Sequence, residues 1–158
     1  MPEEGARYVS CVPLVPLQAA AGYFSYPQAF DPDAVEWVEI DTHHKLVEGM
    51  FVAQVVGKSM EPQIPDGAYC LFRGPVTGTR QGKVVLVELR DQVDPETGHR
   101  YTVKRYESEK AVTGDGTWRH VKIVLHPRNH AFESIEMAVE DEMEVAVIAE
   151  LVEVVGVG

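Results

Sequence analysis

Short runs of strand-forming residues, separated by turn-forming residues, make up most of the chain after about residue 28. The runs are rich in Val, Ile, Tyr and Phe, and turn sequences such as Pro65-Asp66-Gly67 and Gly114-Asp115-Gly116 lie between them. No long segment shows the periodicity of a helix. The sequence therefore predicts a mainly β domain, with strands at 35–40, 49–56, 68–73, 83–89, 101–106, 121–125 and 143–155.

The last of these runs alternates apolar and acidic residues, which is typical of a strand buried on one face. Glu142, Glu144 and Glu150 fall on the face that this alternation assigns to solvent. The residues assigned to the buried face are Met143, Val145, Val147, Ala149 and Leu151.

The first 28 residues have a different character from the rest. Pro13, Pro16 and Pro27 stand among small and apolar residues, and no helical pattern is long enough to nucleate a stable helix. We predict an extended N-terminal arm over residues 1–28 and one domain over residues 29–158. A chain of 158 residues that is 45% apolar is long enough to build one buried core.

The charge of the chain disfavours direct binding to nucleic acid. There are 25 acidic and 14 basic residues, so the formal net charge of -11 repels a phosphate backbone. No apolar run approaches the ~18 to 20 residues of a membrane span, and the acidic start does not resemble a secretory signal. Cys11 and Cys70 are too few for a disulfide scaffold or a CxxC zinc site. We expect a soluble, cytoplasmic protein with two free thiols.

The most unusual local sequence follows the second predicted strand and contains Ser59. A β-like run stops at Gly57, and Pro62 and Pro65 restrict any helix that follows to one short turn. Ser59 is therefore expected at the N-terminus of that turn, where free backbone N–H groups suit a developing oxyanion. A simple N-cap role for this serine is the alternative.

A serine nucleophile needs a base, and the sequence offers six histidines and one unusual lysine. The histidines lie in polar or turn-rich stretches, and His126 and His130 suggest a solvated loop more than a metal site. Lys104 lies within a strand-like run, beside Thr102 and Tyr106 by alternation. In a dry cleft its neutral amine could accept a proton, whereas an ordinary sheet lysine would extend its ammonium to water.

Five ordered segments, which together span residues 52–156, resemble the successive blocks of the self-cleaving Ser/Lys peptidases. This family includes LexA-type SOS repressors, phage repressors and UmuD-type mutagenesis proteins. The pairing of SMEP with a downstream TVKR is more specific than either motif alone. The resemblance implies a LexA/signal-peptidase-like β domain. The segments are GKSMEPQIPDG, QGKVVLVEL, YTVKRY, LHPRNHAFESI and EVAVIAELVEVVG.

The resemblance also implies the roles of individual residues. Ser59 would be the nucleophile and Lys104 the general base, and the backbone amides of Ser59 and Met60 would form the oxyanion hole, with no cofactor and no metal. Members of the family cleave themselves at an Ala-Gly or Cys-Gly bond some three dozen residues before the serine. Ala21-Gly22 lies 38 residues before Ser59, so the arm is the expected substrate, although AAAG alone is equally a flexible linker.

Several departures from the family pattern accompany these matches. The loop of residues 91–100 before the lysine strand and the loop of residues 107–119 are longer than in compact members. Ala68 stands where the family often has a second acid, and Ala149 replaces a common glycine. The repressors carry a helix-turn-helix domain before the cut, and 21 residues cannot form one, so the arrangement resembles that of UmuD.

The resemblance implies an autoproteolytic serine endopeptidase that regulates an SOS, DNA-damage or phage-related response. It further implies a homodimer and activation by a RecA-type filament. One alternative is a non-catalytic binding or regulatory module with the peptidase fold, possibly part of a larger protein. The other is a signal peptidase, which the missing membrane anchor and the continuation from TVKR to LHPRN disfavour.

Overall fold

A computed structural model of the chain describes residues 4–20, 31–89, 92–112, 119–139 and 146–156. Nine strands within these residues form one mixed sheet, which confirms the predicted mainly β fold. A short 3-10 helix, Glu4–Ala6, precedes them. The strands are β1 Cys11–Leu14, β2 Glu36–Glu39, β3 Met50–Val55, β4 Ala68–Arg73, β5 Val84–Glu88, β6 Tyr101–Val112, β7 Arg119–His126, β8 Ile135–Val139 and β9 Ala146–Val155.

Across the sheet the strands follow the order β2-β1-β3-β4-β9-β5-β6-β7-β8. β1 runs parallel to β3, and the other neighbouring pairs are antiparallel. Each of the seven predicted runs overlaps one of these strands, whereas β1 and β8 were not predicted. β6 and β7 are longer than predicted because they pair with each other beyond the end of β5.

The first half of the predicted arm contributes a strand to the sheet. β1 pairs with β2, where Val12 lies opposite Val38, and with β3, where Leu14 lies opposite Val52. Val12 is completely buried, and residues 17–20 then form a helical turn. The sequence predicted this segment as an extended arm, and a strand this short needs few backbone donors, so Pro13 is tolerated in it. The boundary between an arm and a domain at residue 28 stays a prediction.

A bulge in β9 interrupts the alternation that the sequence predicted. Leu86 and Val87 of β5 pair with Ala149 and Val147, so Ile148 between them has no partner. An unpaired extra residue changes which face the following side chains occupy. Val147 consequently packs with the side chains of β5 to β8, and Ala149 packs on the other side. The prediction that these two residues share a face is wrong, and positions 143 and 145 lie outside the described residues.

Three clusters of buried side chains cover the sheet. One, here called the first core cluster, joins β3, β4, β5 and β9 to the segment after β3 and to the described part of the arm. A second packs β5 to β8, and a third packs β1 to β4. The buried members of the first core cluster are Val15, Ala20, Phe51, Ala53, Val55, Met60, Ile64, Cys70, Phe72, Val84, Leu86, Val103, Ile148 and Ala149.

The two cysteines are buried in this fold as free thiols. Burial raises the pKa of the Cys70 thiol to about 12, so this side chain behaves as a core residue rather than as a nucleophile. Among the described residues, no three His, Cys, Asp or Glu side chains are grouped as a metal site requires. In the same part of the chain, no helix has the length and apolar character needed to cross a membrane.

Candidate active site

Ser59 lies on a tight turn between β3 and β4, as the sequence predicted. β3 ends at Val55, and Gly57 has a φ of 119°, a left-handed conformation that favours glycine. Residues 59–63 then form a turn in which the amide of Ile64 donates to the carbonyl of Met60 at 2.9 Å. Met60 and Ile64 are buried in the first core cluster, so apolar packing fixes the turn that carries the serine.

A second loop holds the backbone of this turn from outside. The amides of Arg128 and Asn129 both donate to the carbonyl oxygen of Ser59, each at 2.9 Å. The side chain of Asn129 donates from Nδ2 to the carbonyl of Lys58 at 3.1 Å. Its Oδ1 accepts from the amide of Ala131 at 3.0 Å, which fixes the orientation of the side chain. Sequence reasoning treated this segment as a solvated loop and missed its contact with the turn.

Lys104 is a buried residue of β6 rather than a surface lysine. Its backbone lies opposite Val85 of β5, and its side chain is only 4% exposed. The ammonium therefore does not extend to water, which excludes the ordinary sheet lysine that the sequence left open. Lys104 Nζ donates to Thr102 Oγ1 at 2.7 Å, so the predicted neighbour on the strand is in contact with it.

The partner of Lys104 is Asp94, which the sequence did not identify. Lys104 Nζ and Asp94 Oδ2 form an ion pair at 3.1 Å, and both side chains are buried. Thr102 Oγ1 donates to the same carboxylate oxygen at 2.6 Å, so the three groups form a closed triangle. Because the pair is dry, taking the proton from Lys104 would leave a buried carboxylate without its counter-charge.

Several interactions compete to set the pKa of Asp94. Burial, the largest of them, raises the pKa because it penalises the charged carboxylate. The hydrogen bond from Thr102, the charge of Lys104 and the amide of Glu96 lower it, and together they outweigh burial. The pKa of Asp94 is therefore below its ordinary value, and the carboxylate is ionised at neutral pH.

One small cavity touches both Ser59 and Lys104. Its volume is about 30 Å³, and Asp94, Glu96 and Leu17 also line it. Within the described residues no hydrogen bond joins Ser59 to Lys104, because the lysine donates to Asp94 and Thr102. The proposed nucleophile and base thus share a cavity but are not coupled in this conformation.

A larger groove of about 770 Å³ adjoins the cavity. Glu96 and Thr97 belong to a loop of residues 92–99, here called the acidic loop, and form part of the wall between the two spaces. Glu96 Oε2 accepts from the amide of Lys58 at 2.7 Å, immediately before Ser59. The residues that line both spaces are Leu17, Val56, Gly57, Glu96, Thr97 and Tyr101.

The backbone amides of Ser59 and Met60, which were predicted to form the oxyanion hole, differ from the two preceding amides in their hydrogen bonding. The amide of Gly57 donates to Asp66 Oδ1 at 2.7 Å, and that of Lys58 donates to Glu96. Among hydrogen bonds within the described residues, none uses the amide of Ser59 or of Met60 as a donor. These two groups are therefore available to a ligand oxygen.

The predicted cleavage site, Ala21-Gly22, lies outside the described residues. The described part of the arm ends one residue earlier, at Ala20, which is completely buried in the first core cluster with Met60. Leu17 lines the cavity of Ser59 and Lys104. The arm thus approaches the cavity within four residues of the predicted bond.

Among the residues that the structure describes, no histidine lines this cavity. His126, at the end of β7, has a carboxylate partner that the sequence did not reveal, because its Nε2 contacts Glu107 Oε2. Its Nδ1 lies 3.2 Å from Ser134 Oγ. His126 is the last residue of β7, Glu107 lies on the neighbouring strand β6, and Ser134 immediately precedes β8.

One feature of the sequence explains why Asp94 and Glu96 were not predicted as site residues. Asp94 and Glu96 belong to Asp94-Pro95-Glu96-Thr97-Gly98, a segment whose composition indicates only a turn. The available signal was the unusual length of the loop at 91–100, together with two acids placed beside a proposed catalytic lysine.

Comparison with known families agrees with this geometry. A family model described as peptidase S24-like matches residues 13–152, which include Ser59, Lys104, Asp94 and Asn129. No curated protein matches the chain at a significant level. The match covers most of the sequence, from the arm before the predicted cut to the final strand. The chain therefore belongs to the peptidase S24-like family, the family of LexA- and UmuD-type proteins.

Proposed function

We propose that this protein is a self-cleaving serine endopeptidase that cuts its own Ala21-Gly22 bond with Ser59 and Lys104. The observation that carries the proposal is the cavity that these two side chains share, with the lysine buried in it. A buried amine has the environment that a lysine base requires, because water does not compete for its proton. Membership of a peptidase family supports the same chemistry.

In the first step Ser59 Oγ attacks the carbonyl carbon of Ala21 and transfers its proton to the neutral amine of Lys104. The negative charge that forms on the carbonyl oxygen is bound by the amides of Ser59 and Met60. These amides make no hydrogen bond to other described residues, which suits this role. Thr102 Oγ1, at 2.7 Å from Nζ, orients the amine.

In the second step the tetrahedral intermediate collapses and the bond between Ala21 and Gly22 breaks. Lys104 gives its proton to the leaving nitrogen of Gly22, so the new N-terminus departs as a neutral amine. A water molecule then attacks the Ala21–Ser59 ester, and Lys104 accepts its proton. Lys104 returns this proton to Ser59 Oγ as the ester bond breaks, so the Ala21 carboxyl group is released and both the serine hydroxyl and the neutral lysine are restored.

The arm is the proposed substrate because it is attached beside the site. Leu17 lines the cavity and Ala20 packs against the cluster that holds Met60, so little chain separates the described arm from Ala21. A tethered substrate has a high effective concentration, and its docking rather than its encounter limits the rate. Small residues at the cut let the backbone approach the serine closely.

The proposed biological role is regulation of an SOS, DNA-damage or phage-related response in the cytoplasm. Membership of the LexA- and UmuD-type family supports this role, and it also supports a homodimer and a RecA-type filament as activator. The net charge of -11 favours action through protein partners rather than through direct contact with nucleic acid.

A second candidate is a non-catalytic module that keeps the peptidase fold and binds a partner. The ion pair between Lys104 and Asp94 favours it, because a lysine held in this way does not act as a base. A cavity of about 30 Å³ likewise leaves no room for a peptide. This candidate predicts an intact chain under every condition in which the first predicts cleavage.

The test is to incubate the purified chain at raised pH and to determine its mass after denaturation. Cleavage is expected to yield fragments 1–21 and 22–158, with Ser59→Ala and Lys104→Met each reducing the rate by about a thousandfold or more. Both variants must keep the circular dichroism spectrum of the parent. An unchanged mass, or equal cleavage in Ser59→Ala, contradicts the proposal and leaves the binding module.

A further inference from the structure

The acidic loop, residues 92–99, contacts the proposed base with one carboxylate and the turn of the proposed nucleophile with another. Asp94 binds the ammonium of Lys104, and Glu96 binds the amide of Lys58. We infer that the acidic loop is an autoinhibitory plug, which keeps the site closed and must move before the arm can be cut. This inference rests on the proposed function and concerns the regulation of the same site.

The volumes of the two adjoining spaces indicate that the loop blocks access. The cavity at Ser59 measures about 30 Å³, close to the share of one water molecule in the liquid, whereas the groove beside it measures about 770 Å³. Glu96 and Thr97 are among the residues that line both spaces. In the inferred closed state, movement of these residues widens the connection from the groove to Ser59.

Glu96 also occupies the backbone donor immediately before Ser59. Its Oε2 accepts from the amide of Lys58 at 2.7 Å, and a charged acceptor makes this a strong hydrogen bond. The carboxylate also packs directly on Gly57, where an added Cβ would lie 2.7 Å from Oε1. The bound carboxylate thus removes one amide beside Ser59 from use by any other ligand.

The two carboxylates are joined by hydrogen bonds within the loop. Asp94 Oδ1 accepts from the amide of Glu96 at 2.8 Å, and the amide of Gly98 donates to the carbonyl of Asp94 at 2.7 Å. The amide of Asp94 donates in turn to the carbonyl of His99 at 2.8 Å. Because these bonds fix the backbone of the loop, a movement of that backbone away from Lys58 also disturbs the ion pair of Lys104.

The first test measures cleavage in Glu96→Ala, which removes the bond to Lys58 and opens the wall of the cavity. We expect self-cleavage at least about tenfold faster than in the parent, since hydrogen bonds to charged groups are among the stronger ones. Glu96→Gln keeps the size of the side chain and is expected to give a smaller increase. Glu39→Ala, at an exposed position of β2, removes the same charge elsewhere and should leave the rate unchanged.

The second test does not depend on cleavage, because it uses chains that also carry Ser59→Ala. Amide hydrogen exchange measured by NMR should become at least about tenfold faster at Lys58 when Glu96→Ala is added. The amide of Gly67, which donates to the carbonyl of Val55 at 2.8 Å, serves as the internal control and should not change.

The combined results distinguish the proposed self-cleavage from the inference that the acidic loop is a plug. If no variant cleaves but exchange at Lys58 rises selectively, the proposed function fails and the closed loop is supported. If the parent cleaves and Glu96→Ala cleaves no faster, the inference of a plug is overturned and the proposed function stands. Equal exchange at Lys58 in the presence and absence of Glu96 would also overturn the inference.

Discussion

The turn that carries Ser59 and the acidic loop lie side by side, but different forces hold them. The turn is anchored by Met60 and Ile64, which are buried among apolar side chains. The acidic loop is held mainly by charges, through Asp94 on Lys104 and Glu96 on the amide of Lys58. Apolar burial depends little on ionic strength or pH, whereas ion pairs and carboxylate bonds respond to both.

This difference matches the different requirements of the proposed nucleophile and the proposed base. The nucleophile needs one fixed position, and close packing provides it because a packed core has few alternative arrangements. The base must change its protonation state during the reaction, and Asp94, which is held by charge, is able to move away from Lys104. We expect variants of the turn to change stability and variants of the acidic loop to change the response to conditions.

The largest effect is expected from Ile64→Ala, which tests whether packing holds the turn. Ile64 is completely buried, so its truncation should lower the free energy of unfolding by about 2–5 kcal/mol. Urea denaturation measures this loss, and it should be the same at low and high salt. Val9→Ala, at a side chain that is 75% exposed, is the control and should cost less than about 0.5 kcal/mol. A loss of stability that depends strongly on salt would contradict the claim that apolar packing holds the turn.

A smaller effect is expected from Asn129→Ala, which removes the clamp on the backbone of Lys58. Loss of this hydrogen bond should lower the free energy of unfolding by about 0.5–1.5 kcal/mol. We also expect about tenfold slower self-cleavage, because a slightly displaced serine attacks less well. Denaturation and denaturing mass spectrometry measure the two effects.

The matched control for this clamp is Gln63→Ala. Gln63 accepts a hydrogen bond from Arg128 on the exposed side of the same loop, without touching the carbonyl of Lys58 or Ser59. Its removal should leave the cleavage rate unchanged. Equal slowing in the two variants would mean that the loop as a whole, rather than Asn129, supports the turn.

The smallest expected effect concerns how the free energy of unfolding depends on pH. The pKa of Asp94 is lower in the folded chain than its ordinary value of 3.8, so the unfolded chain binds this proton first as the pH falls. The stabilisation from Asp94 is therefore complete above about pH 5 and is lost as the pH falls through the lowered pKa. Asp94→Asn should flatten the acid limb of a plot of unfolding free energy against pH.

An exposed aspartate outside the acidic loop provides the control for Asp94→Asn. Asp33, which pairs with Arg7 at 3.0 Å, has an exposed side chain. Asp33→Asn should leave the acid limb unchanged, because water screens an exposed pair. If Asp94→Asn has the same acid limb as the parent, charge does not hold the loop and the comparison with the turn fails.

Local patterns in the sequence predicted most of the strands. β4, at Ala68–Arg73, matches its predicted bounds at both ends because the Pro65-Asp66-Gly67 turn marks its start clearly. β1 was not predicted because the proline-rich segment was interpreted as an extended arm, although its four residues pair within the sheet. The bulge at Ile148 was not predictable, since it depends on the partner strand β5 rather than on the local sequence.

The site was predicted less completely than the fold. Ser59 and Lys104 were identified through the motifs SMEP and TVKR, and the structure brings both to one cavity. Glu96 and Asn129 act on Lys58 from 38 and 71 residues away, and no local pattern encodes contacts over such separations. Asp94 lies ten residues before Lys104, but its segment is also a good turn, which concealed its second role.

The pairing of β1 has a consequence for what cleavage would accomplish. Because this strand lies between β2 and β3, a cut after residue 21 would leave the upstream piece hydrogen-bonded inside the nicked protein. Val12 and Cys11 would remain interior, so dissociation would carry its own free-energy cost after the bond is broken. Severing the backbone and losing the segment are thus two separable events, and a downstream partner has the chance to distinguish them.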